Sequence, residues 1–212
     1  MRFPHGLALA TAALLTTGAG LADPAAKPVS APSIEPGSKV EPHLTARRID
    51  IVDDNGVVRM TLAAPTPDPV IGGKAYKRTF PVAGLVLFDA KGDERGGFGV
   101  ADIPGSAVVL ALDHTNGDAV GWKVMPDGSV EFLMNARAPV SQDASGHTKP
   151  AMGTTRATLS VAADGRPALS LSDQSERPRV RVTVTPEGFG ALEFLDKDGK
   201  VISTLAPEAK AK

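Results

Sequence analysis

Ala83-Gly84-Leu85-Val86-Leu87-Phe88-Asp89-Ala90-Lys91-Gly92-Asp93-Glu94-Arg95-Gly96-Gly97-Phe98 decides the fold class. Leu85 and Leu87 stand two residues apart, Asp89 closes the run, Lys91-Gly92 reverses the chain, and an apolar position returns at Phe98. Period-two alternation is the mark of a half-buried strand, because successive side chains point to opposite faces. Asp and Gly are the residues a tight reversal favours. Asp bonds its own backbone, and Gly accepts positive φ.

The same unit recurs on both sides of this stretch. Asp53, Asp89, Asp113, Asn135, Asp173 and Asp196 each close an apolar run, at intervals of 36, 24, 22, 38 and 23 residues. The two long intervals fit a unit of about 23 residues plus insertions at residues 65–77 and 139–154, which are rich in Pro, Gly and polar side chains. Four residues before each anchor stand Ile49, Leu85, Val109, Glu131, Leu169 and Leu192. Two residues before it stand Ile51, Leu87, Ala111, Leu133, Leu171 and Phe194. On the returning strand come Leu62, Phe98, Trp122, Leu159, Val182 and Leu205. Glu131 is the one exception to an apolar column. Asn55-Gly56, Asn116-Gly117, Asp127-Gly128, Asp164-Gly165, Glu187-Gly188 and Asp198-Gly199 supply further reversals.

This pattern predicts an all-β domain at residues 44–206: about six two-stranded units in an antiparallel meander of about twelve strands. Because exposed strand edges invite aggregation, the meander is expected to close, as an up-and-down barrel or a propeller-like ring. A β-solenoid or an open meander is the alternative. An outer-membrane barrel does not fit, since the strands are short and no aromatic girdle is present.

The pattern L-x-L-x-D-x-x-G-x-x-R, followed by a D-G hairpin, resembles repeats of a family of exported bacterial proteins with no assigned activity. Arg48 to Asp53, Asn55-Gly56-Val57-Val58-Arg59, Ala83 to Asp89 and Gly92 to Gly97 carry the resemblance, over roughly residues 46–135. It implies the repeat and the fold, and it transfers no site residue. Residues 139–154 have no counterpart in it.

The ends of the chain read differently. Residues 1–22 have the form of a secretory signal peptide: Arg2 and His5 in the n-region, an apolar run from Leu7 to Leu15, and Gly20-Leu21-Ala22 before the cleavage point. The apolar run is too short to span a bilayer. Residues 23–43 contain five Pro and read as a disordered spacer, and residues 207–212 as a disordered tail. The expected location is exported, periplasmic or extracellular.

Composition removes several function classes. Lys and Arg number 23 against 24 acidic residues, so no field favours nucleic acid or anionic lipid. Only 4% of residues are aromatic, which argues against stacking platforms for single strands. The chain has no Cys, so disulfides, thiolate metal sites and thiol catalysis are absent. The Asp-Gly stretches lack the twelve-residue ligand pattern of a calcium loop and read as turns. His43, His114 and His147 show no metal-ligand spacing, and no nucleophile motif occurs.

No catalytic residue, metal site or cofactor is implied. The remaining candidates for ligand contact are Asp93, Glu94 and Arg95 in the Gly-rich octapeptide, and Trp122 in an apolar column. The leading expectation is a non-enzymatic exported repeat module that binds an envelope protein or polymer, or serves a structural role. The alternatives are an envelope-polymer hydrolase using Asp or Glu gathered at one end of the sheet, and a small-ligand carrier. Arg59, Arg95 and Arg179, six residues after their anchors, are expected to pair with Asp53, Asp89 and Asp173 across the turns.

Overall fold

The computed structural model describes residue 37 and residues 41–207. The expected signal peptide, most of the spacer and most of the tail lie outside the described residues. The chain divides into two units, Met1–Leu44 and Thr45–Lys212. The first is almost wholly outside the described residues, and the second carries the fold.

Fourteen strands follow one another without a helix among the described residues. They are β1 (Arg48–Val52), β2 (Val58–Ala63), β3 (Val70–Ile71), β4 (Lys74–Ala75), β5 (Val82–Phe88), β6 (Glu94–Ala101), β7 (Ala107–Asp113), β8 (Asp118–Val124), β9 (Val130–Asn135), β10 (Thr155–Val161), β11 (Pro167–Ser172), β12 (Pro178–Val184), β13 (Gly190–Leu195) and β14 (Val201–Leu205). Twelve of them form one antiparallel meander in chain order, and β3 and β4 form a separate small hairpin within the first insertion.

The sheet is open. β1 and β14 each pair on one side only, so the expected closed barrel or ring is corrected to the open meander. The edges are managed by other means. Strands β1 and β14 are short, five residues each. β1 carries the Arg48–Asp50 ion pair at 2.8 Å, and Pro207, which cannot donate a ladder hydrogen bond, follows β14 closely.

Four of the anchors, Asp53, Asp89, Asp173 and Asp196, work as turn clamps. The Oδ1 of Asp53 accepts hydrogen bonds from the Asn55 and Val57 amides at 2.9 and 3.1 Å, and Asp89 accepts from Lys91 and Asp93 at 2.8 and 3.1 Å. Asp173 and Asp196 bind the amides two and four residues on in the same way. Backbone bonds close the same loops, as from the Asp53 amide to the Val57 carbonyl at 2.9 Å. A bulge follows at the matching place in all six hairpins, between Ile51/Val52, Leu87/Phe88, Leu112/Asp113, Thr155/Ala157, Leu171/Ser172 and Phe194/Leu195.

Two anchors are shifted by one residue from their expected places. The third loop closes from the His114 amide to the Gly117 carbonyl at 2.8 Å, and the fourth from the Ala136 amide to the Thr154 carbonyl at 2.8 Å. The equivalent positions are therefore His114 and Ala136, not Asp113 and Asn135. Leu110 and Leu112 then replace Val109 and Ala111 in the columns, and Phe132 and Met134 replace Glu131 and Leu133. A one-residue slip exchanges the faces of a strand, which is why Glu131 looked like an exception.

Candidate functional site

The ladder registers join the corrected columns into rows that cross the whole sheet. One row runs Ile49, Leu62, Leu85, Phe98, Leu110, Trp122, Phe132, Leu159, Leu169, Val182, Leu192, Leu205. Two residues along lies Ile51, Met60, Leu87, Gly96, Leu112, Val120, Met134, Ala157, Leu171, Val180, Phe194, Ser203. On the other side of the first row Ala83, Val100, Val108, Val124, Val130, Val161 and Pro167 extend the surface across β5 to β11. None of the three rows contains a charged residue.

This apolar face is open to solvent. Leu62, Phe98, Trp122 and Leu159 are 52%, 53%, 56% and 55% exposed. The opposite face is different in kind. Its central row reads Asp50, Thr61, Val86, Gly97, Ala111, Gly121, Leu133, Thr158, Ser170, Arg181, Glu193, Thr204. Small residues fill its middle, and Thr61 and Val86 are 0% and 3% exposed. The two insertions make contacts at the rim of the anchor turns, where the Arg78 guanidinium meets Glu94 at 2.8 Å and the Ala151 amide donates to the Asn116 carbonyl at 2.7 Å.

They are also tied together. The Lys74 ammonium meets Asp143 at 2.7 Å, the Tyr76 hydroxyl donates to the Thr148 carbonyl at 2.8 Å, and His147 Nδ1 lies 3.1 Å from the Gly72 carbonyl oxygen. Lys74 and the amides of Ser145 and His147 hold the Asp143 carboxyl down at about 2.

Trp122 stands at the middle of the apolar face. β8 and β9 are the sixth and seventh of the twelve strands. Across that midline the Trp122 and Phe132 rings meet edge-on, with centroids 5.5 Å apart and an interplanar angle of 67°. With Phe98, Val130, Leu159 and Pro167 they line an apolar hollow of about 840 Å³. By strand spacing, twelve strands about 4.8 Å apart and about five residues tall present roughly 900 Å². Leaving that area in water forgoes on the order of 20 kcal/mol of gross burial energy. The largest apolar patch on an ordinary monomer is about 300–600 Å².

Asp93, Glu94 and Arg95 lie elsewhere, at the rim where the anchor turns stand. Asp93 accepts from the Gly73 amide at 2.8 Å and lines a separate polar hollow of about 450 Å³ with Gly72, Lys91, Thr115 and Thr148. Glu94 is paired with Arg78 at 2.8 Å, yet burial still raises its pKa. The structure thus does not bring Trp122 and these three residues into one site.

Sequence reasoning missed a carboxyl at the same rim. Burial, with Asp118 and Glu94 nearby, pushes Asp113 up to about 7, and its Oδ1 is buried without a hydrogen-bond partner. Its tertiary surroundings, not its own stretch of sequence, set this apart. Among the described residues no group of His, Asp or Glu is arranged to hold a metal.

The expected turn pairs are present in two of three units. Arg59 reaches Asp53 at 3.4 Å and Arg179 reaches Asp173 at 3.9 Å, while Arg177 is closer to Asp173, at 2.9 Å. No ion pair joins Arg95 to Asp89 among the described residues. Arg95 instead favours the charged form of Asp113.

No family model and no curated protein matches this sequence.

Proposed function

We propose that this protein is a non-enzymatic exported module that binds a partner in the cell envelope through the apolar face of its sheet, in a structural role. The observation that carries the reading is the set of uncharged rows spanning twelve strands, too large and too regular for a surface meant to stay in water. The leader-like residues 1–22 and the repeat resemblance support the export part of it. No helix among the described residues is long and apolar enough to cross a membrane.

The test uses the single Trp of the chain. Trp122 emission should lie to the blue and be shielded from iodide when the partner covers the face, and Leu159→Glu should leave it red-shifted and accessible. Equal emission and quenching in wild type and Leu159→Glu, with and without isolated envelope, would sink the proposal.

One observation favours the hydrolase reading. Asp113, Asp118 and Glu94 gather at one rim, and a carboxyl raised to about 7 is suited to proton transfer. The structural account of the cluster is preferred, because Arg78 occupies Glu94 and the adjoining polar hollow does not include Asp113. Release of soluble fragments from envelope polymer, abolished by Asp113→Asn, would reverse that preference.

A further inference from the structure

We infer that the occupant of the apolar face is a second copy of this chain, packed face to face as a two-layer sandwich about a two-fold axis near Trp122 and Phe132. The inference rests on the proposal that this face is the binding surface, and it names the partner.

Area is the first argument. Roughly 900 Å² per copy matches the ~800 Å² per partner of a stable interface. The layout is the second. The aromatic pair lies at the midline between six strands and six, and anchoring aromatics concentrate at the centre of an interface. Around a two-fold axis there, each Trp122–Phe132 pair would face its own copy, and the flanking Leu and Val rows would interdigitate as the inner faces of two sheets do.

Charge is the third argument. The rows carry no cation that could meet a lipid headgroup or an acidic partner, whereas an uncharged surface is complementary to itself. The remaining occupant within the chain is the apolar run from Leu7 to Leu15. Nine residues reach at most about 32 Å when extended, and the sheet is about 55 Å wide, so much of the face would stay bare.

Sedimentation equilibrium of the full chain tests this. The expected mass is twice 21.8 kDa at micromolar concentration. Trp122→Glu and Leu159→Glu should each raise the dissociation constant by at least about thirtyfold. Ser170→Glu, on the opposite face, should leave it unchanged, with circular dichroism checking that all three fold.

A second measurement does not depend on disruptive variants. The chain has no Cys, so an introduced thiol is unique. Phe132→Cys should cross-link to itself under mild oxidation, and Ser170→Cys should not. A single-chain mass at every concentration overturns the inference. If that single chain still sediments with envelope in a manner lost in Leu159→Glu, the binding face stands and only the occupant was misassigned. A dimer unaffected by the face variants but cross-linked through Ile202→Cys on the edge strand also overturns it, in favour of edge pairing. A single chain that takes up fatty acid in the apolar hollow overturns it in favour of a carrier.

Discussion

Gly96 has a φ of 136°, and a side chain there would run into the Ala111 carbonyl on the neighbouring strand. It leaves a gap in the second apolar row between Leu87 and Leu112. Gly96→Ala should therefore cost about 1–3 kcal/mol of stability, measured by urea unfolding, although alanine is no more polar than its neighbours. Asp113 gives the other residue-scale prediction. Folding raises its pKa, so the folded chain holds the proton more tightly than the unfolded one. The stabilising share is complete below pH 3.8 and is lost as the pH climbs to about 7. Asp113→Asn keeps the uncharged form at every pH. It should raise stability by about 2–4 kcal/mol at pH 8, have little effect at pH 3.5, and flatten the slope between. Equal effects at both pH values would show that burial is not what perturbs the carboxyl.

The hairpins show what can be read from sequence at the scale of an element. Asp53, Asp89, Asp173 and Asp196 clamp their own turns through local hydrogen bonds, so residue type and spacing suffice to find them. The third and fourth units are harder. Val108-Val109-Leu110-Ala111-Leu112 is apolar throughout, so either phase of the alternation fits, and the third turn is one residue shorter than the others. Glu131 was the only local sign of the slip. The insertions carry a pairing that no local pattern reveals, because Lys74 and Asp143 are 69 residues apart. The Asp143 pKa is depressed to about 2, so its contribution is present above pH 3.8 and is lost as the pH falls toward 2. Amide exchange should show residues 64–81 and 136–154 losing protection in acid before the sheet does. In Lys74→Ala they should already exchange faster at pH 5. Simultaneous loss of insertions and sheet would mean that the contact holds the whole fold.

At the scale of the molecule, the open sheet is a one-dimensional array in which each strand packs chiefly against the next. Closure could not be read from the repeat, because the same alternation serves a ring and an open meander. What decides it is whether β1 meets β14, a relation between residues about 150 apart. Among the candidate residues, Trp122 could be placed on an apolar column from sequence. Its position at the midline needed the full strand order, and the separation of Asp93, Glu94 and Arg95 from it needed the direction of the rim. An array without closure has ends, and ends are held by one neighbour instead of two. β14 is exposed at every residue, whereas β6 to β8 sit between paired strands on both sides and beside the insertions. Native-state amide exchange should therefore rise in steps from the centre outward, fastest in β14, then β13 and β12, with β6 to β8 slowest. A closed ring would give β1 and β14 protection equal to their neighbours. A face-to-face dimer of open sheets would preserve the order while slowing every strand with rising protein concentration, since dissociation would have to precede opening.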